Sequence, residues 1–204
     1  MILSIDVLLY IGFTFFIASI PVENILPITY NKIRGVNNKL EKPHSLVFFS
    51  FATFIPFISY LLIFLKGYGL LFLCDYLFEN EYLIAACILI ILFCNNWSIF
   101  LKFKNKSSFF IILWGIYMFL DTPLGLSYPI LYLLSILLLN SFEVGQLMST
   151  VLIFFGIWKM DLDTFYLPIN FFIFLILLYA YRHVLFGYLE HKPKTLLNSY
   201  MNRS

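Results

Sequence analysis

Charge is what this sequence has least of. Only 12% of its 204 residues are charged, against 62% hydrophobic, and the mean hydropathy is +0.92. A soluble domain of this length needs a polar surface that such a chain cannot supply. Cysteine is scarce too. Cys74, Cys87 and Cys94 sit in apolar surroundings with no His or Cys at metal-ligand spacing, so neither a zinc site nor a disulfide framework is indicated and they read as buried small hydrophobes. There is no Gly-rich nucleotide loop, no Ser-His-Asp pattern and no HxxxxD acyltransferase pattern. No metal or other cofactor is therefore expected. A basic n-region is also missing: the first apolar run, MILSIDVLLYIGFTFFIASIP, carries Asp6 instead, so it reads as a retained span and not as a cleaved signal peptide. Internal repeats and low-complexity tracts are absent.

What is present is a series of apolar runs. They cover residues 3–20, 45–65 with an extension towards 77, 82–101, 109–120, 128–140, 145–158 and 165–181. This predicts an all-α integral membrane protein with about seven transmembrane helices in one polytopic domain, 1–204. The fourth to sixth runs have only twelve to fourteen residues, short of the ~17–25 that a crossing needs. Either they extend into their polar flanks, or one pair is re-entrant and five helices cross.

The connections alternate in charge. NKIRGVNNKLEKPH (31–44), KFKNK within 102–108, and the tail 182–204 are basic, whereas CDYLFENE (74–81) and KMDLD (159–163) are acidic. Because Lys and Arg favour the cytoplasmic side, the N-terminus is expected outside and the C-terminus in the cytoplasm. DTPLG at Asp121 reads as a turn. Most prolines fall at span ends; Pro56 is the expected exception, a kink inside the second span. The sequons at Asn96 and Asn105 are expected at or near the cytoplasmic face and carry no implication.

Few residues are candidates for chemistry. Lys66 falls among apolar neighbours, where an ammonium costs at least ~2.5–3.5 kcal/mol unless paired or wetted. It either snorkels to the interface, or lines a polar cavity or pairs with Asp75 or Glu23. Asn95 and Asn96 interrupt the third span and suit interhelical hydrogen bonding or a ligand. Lys102, Lys104 and Lys106 lie on the same expected side as Arg34, Arg182 and His183. Such a basic cluster serves topology, anionic lipid headgroups or a phosphate-bearing ligand. His183 is either an interface anchor or a general base.

Four stretches, IASIPVENIL, LKG (65–67), NNWSIFLKFKNKSS (95–108) and YAYRHVLFGYLEHKP (179–193), occur in an order and spacing that resemble the bacterial acyl-phosphate:glycerol-3-phosphate acyltransferases, the PlsY family. The matches are Ser19-Ile20-Pro21, Lys66-Gly67, Phe100-Leu101-Lys102-Phe103-Lys104 and Arg182-His183. The departures are Ala18 for the family's glycine, Asn95 for its histidine, Ser98 for its proline, Asn105-Lys106-Ser107-Ser108 for G-G-K-G and Phe186 for its asparagine. The family's G-S-G-N-x-G-x-T-N loop has no counterpart. Glycine loops let backbone N–H groups approach phosphate oxygens, so these replacements remove most of that cradle.

The resemblance implies a bacterial inner-membrane protein in contact with membrane lipids. It further implies acyl-phosphate as donor, a glycerol-phosphate-like acceptor such as glycerol-3-phosphate, and no metal or nucleotide. Carried over residue by residue, His183 and Lys104 would be catalytic, and Arg34, Lys102, Lys106, Arg182, Asn95 and Ser19 would bind the substrate phosphate. Two alternatives stand beside it: a non-catalytic subunit that keeps the scaffold and binds other membrane proteins, and a small transport subunit suggested by Lys66, Pro56 and the short spans.

Overall fold

The computed structural model describes residues 5–22, 25, 54–98, 100, 109–159 and 165–189. Among the described residues the secondary structure is helical, with seven helices and no strand: α1 (Ile5–Ser19), α2 (Phe54–Phe78), α3 (Glu81–Asn96), α4 (Phe109–Leu120), α5 (Thr122–Leu139), α6 (Phe142–Lys159) and α7 (Tyr166–Leu189). Phe57–Phe78, Thr122–Leu139 and Tyr166–Gly187 are each long and apolar enough to cross a bilayer unaided, and α1, α3 and α4 are shorter apolar helices. The chain is a helical membrane protein.

The helix ends differ from the expected ones for local reasons. The runs expected at 128–140 and 145–158 start earlier, at Thr122 and Phe142, so both helices reach 18 residues. The DTPLG stretch is a helix start: the Asp121 carboxylate accepts the Leu124 N–H at 3.3 Å, and Pro123 occupies the first turn, where a missing N–H costs nothing. Ser141 Oγ likewise accepts the Val144 N–H at 3.5 Å. The third span stops at Asn96, well before residue 101, because Trp97 leaves helical geometry while its N–H closes the last turn on the Phe93 carbonyl at 2.8 Å. The seventh continues beyond Tyr181 to Leu189. Pro129, expected near a span end, lies inside α5, where it cannot donate to the Gly125 carbonyl. Pro56 is the third residue of α2 as described; the stretch before residue 54, on which a kink there would depend, lies outside the described residues.

Tertiary contacts gather into two units, 1–116 and 117–204, and the division falls within α4. In the first unit, α1 and α2 both pack on α3. The Tyr10 hydroxyl donates to the Leu70 carbonyl, and the Tyr10 ring meets Phe78 edge-on at 5.3 Å. The start of α1 therefore lies beside the end of α2. Between α2 and α3 the chain turns through Glu79, at φ 45°, and Asn80, whose side chain accepts the Leu83 N–H at 3.2 Å. α2 crosses α4 through two glycines: a Cβ on Gly67 would come 2.5 Å from the Ile112 carbonyl oxygen, and one on Gly115 the same distance from that of Phe64. Small residues of this kind let membrane helices approach backbone to backbone.

In the second unit, α5 and α6 form a hairpin through Asn140, at φ 50°, and α7 packs on α6. Tyr117 and Tyr128 lie at its core, fully buried with ring centroids 4.9 Å apart.

Candidate functional site

The first unit contains a polar cluster where three helices bring their ends or middles together. A helix leaves its last carbonyls without intrahelical donors, and α1 is followed by Pro21, which has no N–H to offer. Side chains from two other elements satisfy these groups. Ser98 Oγ, just past the end of α3, donates to the Ser19 carbonyl at 2.5 Å, and Lys66 Nζ, from the middle of α2, donates to the Ile20 carbonyl at 2.8 Å. The ammonium thus sits at the negative end of the α1 dipole, an electrostatically favourable place for a cation. It also donates to Asn95 Oδ1 at 3.4 Å.

Lys66 is only 8% exposed, so its ammonium is held in the interior and does not snorkel outward. Ser19, Asn95, Asn96 and Ser98 are buried around the same helix ends. The Ser19 hydroxyl donates back to the Phe15 carbonyl at 2.8 Å, which leaves its lone pairs as the polar feature it can present. Asn96 Oδ1 is buried and has no hydrogen-bond partner among the described residues. Chemically, the cluster combines one ammonium, two amides and two hydroxyls. That set can bind and orient an anion or a carbonyl oxygen, and it can equally lock three helices together.

The cluster unites three of the separated stretches singled out in the sequence: Ser19 from the first, Lys66 from the second and Asn95 from the third. The Ile20 carbonyl is part of it as well, a backbone group with no sequence signature of its own. Arg34, Lys102, Lys104 and Lys106 lie outside the described residues. Arg182 and His183 belong to the second unit, on an exposed face of α7. Arg182 Nε donates to His183 Nε2 at 3.4 Å, and the Arg182 guanidinium stands over the Tyr179 ring at 4.4 Å.

The sequence reading missed a second buried network, inside the second unit. The Tyr117 hydroxyl donates to Asn170 Oδ1 at 2.5 Å, and Asn170 Nδ2 donates to the Thr150 carbonyl at 3.1 Å. Thr150 Oγ1 donates to the Gln146 carbonyl at 3.0 Å. The Gln146 amide accepts from Tyr181 at 2.8 Å and donates to the Tyr128 hydroxyl at 3.4 Å. The available signal was Gln146 and Thr150 at i, i+4 on one face of a largely apolar helix, together with Asn170 in another. Asn80 and Asp121 cap helices and have no part in either cluster.

No protein-family model matches the chain, and no curated protein sequence matches it. Its fold, however, is that of two solved structures. One is the crystal structure of PlsY (YgiH), an integral membrane glycerol 3-phosphate acyltransferase, in its lysphosphatidic acid form. It has a TM-score of 0.76 and 15% identity, and covers 93% of this chain and 95% of that one. The other is the glycerol 3-phosphate form, with a TM-score of 0.74, 16% identity and coverage of 94% and 96%. The chain is therefore PlsY-like in fold along nearly its whole described length, as its ordered motifs implied.

Proposed function

We propose that this protein is a divergent member of the PlsY family that transfers an acyl group from acyl-phosphate to a glycerol-phosphate-like acceptor in the bacterial inner membrane. The observation carrying this reading is the convergence of Ser19, Lys66 and Asn95. They come from three stretches that resemble family motifs and lie far apart in sequence: Lys66 bonds to Asn95 and to the carbonyl of Ile20, the residue next to Ser19, in a fold shared with a glycerol 3-phosphate acyltransferase. A buried ammonium at a helix end is the kind of preorganised charge that stabilises a developing oxyanion or a leaving phosphate. His183 and Lys104 are the residues assigned to the chemistry. Arg34, Lys102, Lys106 and Arg182 supply further positive charge for phosphate.

A second reading rests on its own observation. The Lys66 ammonium is already engaged by the Ile20 carbonyl and Asn95, so the cluster also fits a scaffold whose ancestral site has become a helix clamp, in a non-catalytic membrane subunit that binds partner proteins.

One assay separates the two. The purified protein in lipid is given acyl-phosphate and labelled glycerol-3-phosphate, with Lys104→Ala and His183→Ala as controls. Under the enzyme reading product forms, and each substitution lowers the rate by ~10²-fold or more. An absence of product from folded protein, while an intact family enzyme works alongside, rejects acyl transfer and leaves the subunit.

A further inference from the structure

The antiparallel packing of α2 on α3 carries a second reactive feature, independent of the function proposed above. Lys66 of α2 meets Asn95 of α3. Eight residues further along α2, Cys74 meets Cys87, eight residues earlier in α3, and their sulfurs are 3.8 Å apart. Eight residues are just over two turns, so both pairs lie on one seam of an antiparallel pair. Between them Leu70 and Ile91 hold the same register, and both are buried. Two of the chain's three cysteines thus face each other across the seam that also carries the polar cluster. Both are free thiols, and both are wholly inaccessible to water.

We propose that Cys74 and Cys87 are a modification site: an oxidisable thiol pair whose disulfide latches α2 to α3 on the seam that bears Lys66 and Asn95. A disulfide requires the sulfurs to close by ~1.8 Å, which side-chain rotation at two residues can provide. Cys94, buried elsewhere on α3, takes no part. In the reaction both S–H bonds break, one S–S bond forms, and two electrons and two protons leave. Cys74 lies four residues from the end of α2, and Cys87 six residues into α3. The pair is therefore ~6–9 Å inside the helical hairpin and shielded by protein. An oxidant meets it only when the hairpin opens locally, and at that depth a small lipid-soluble oxidant is favoured over a water-soluble protein. The co-reactant assigned is a quinone, which takes up both electrons and both protons to become the hydroquinone.

The test treats the full chain, in lipid nanodiscs, with a short-chain ubiquinone analogue or with diamide, then denatures it and counts alkylatable thiols by mass. The expected result is the loss of two thiols per chain in the wild type and in Cys94→Ser, with no loss in Cys74→Ser or Cys87→Ser, and reversal by reductant. The oxidised wild type is also expected to unfold at a higher temperature than the reduced protein, whereas oxidant leaves the midpoint of Cys87→Ser unchanged. Three retained thiols after diamide, a bond involving Cys94, or covalent dimers in place of an internal bond would overturn the pairing. Oxidation by diamide alone would overturn the quinone assignment, and an unchanged midpoint would overturn the latch.

Discussion

Lys66 concentrates the residue-scale physics of this protein. Its ammonium is tolerable in an apolar interior because the end of α1 offers a carbonyl and a dipole of the right sign, and α3 offers an amide oxygen. Lys66→Met keeps most of the stem volume but removes the charge and its donors. It is expected to lower stability by ~1–3 kcal/mol, the usual worth of hydrogen bonds to a charged group, read as a fall in the unfolding midpoint in detergent. A variant that unfolds at the wild-type temperature would show that the ammonium is held for function and not for folding. Glu79 poses a simpler case. It occupies the left-handed region at φ 45°, where a side chain clashes with the backbone. Glu79→Gly should leave stability unchanged or raise it by up to ~1 kcal/mol, because the relief of strain competes with glycine's unfolded-state entropy. Glu79→Val should lower it, a contrast that thermal unfolding of the two variants measures. At this scale the sequence was only partly informative. Lys66 and Asn95 are singled out there; Glu23, one of the partners expected for the lysine, lies outside the described residues, and a backbone carbonyl such as that of Ile20 leaves no trace in a list of side chains.

At the scale of elements, glycine separates close helix crossings from open faces. Gly67→Ala or Gly115→Ala places a methyl 2.5 Å from a carbonyl oxygen of the facing helix, so α2 and α4 must move apart, at a cost of ~1–3 kcal/mol. Among the described residues, an added Cβ at Gly12, Gly69 or Gly156 meets nothing within 4 Å beyond its own stretch of helix, and alanine there should be neutral or stabilising by up to ~1 kcal/mol. Unfolding midpoints for the five alanine variants would distinguish the two classes, and equal effects at Gly67 and Gly69 would contradict the crossing. Helix starts were legible but misread. Asp121, Thr122 and Pro123 form a start signal that a turn reading of DTPLG overlooked, because Asp and Pro serve both roles. Asp121→Ala should cost ~1 kcal/mol through loss of the N-cap, measurable in the same assay.

For the whole molecule, the distribution of basic residues leads to an orientation that can be tested directly. With Lys and Arg concentrated in 31–44, 102–108 and 182–204, a reporter fused after Ser204 is expected to be active on the cytoplasmic side. A reporter active only on the outer side would reverse the topology and with it the compartment of the proposed site. The fold likeness over more than nine-tenths of the chain, at 15–16% identity, is a reminder that a helical membrane scaffold survives wide exchange of one apolar residue for another. A glycine loop that cradles phosphate does not survive such exchange. Shared fold and altered motif therefore point to different questions, and the acyl-transfer assay addresses the second.

The sequence by itself determined the class of the protein, the existence of the seven helices among the described residues and their order. Hydropathy and run length are local properties, and a bilayer demands them of each segment separately. The ordered short motifs pointed to the fold for the same reason, since each can be read in place. Only the tertiary structure decided which residues meet. These helices are apolar nearly all round, so no polar stripe marks an inward face. The register that sets Lys66 against Asn95, Cys74 against Cys87 and Tyr117 against Asn170 arises from packing between segments 13 to 53 residues apart, where backbone carbonyls, glycine clearances and helix ends act together.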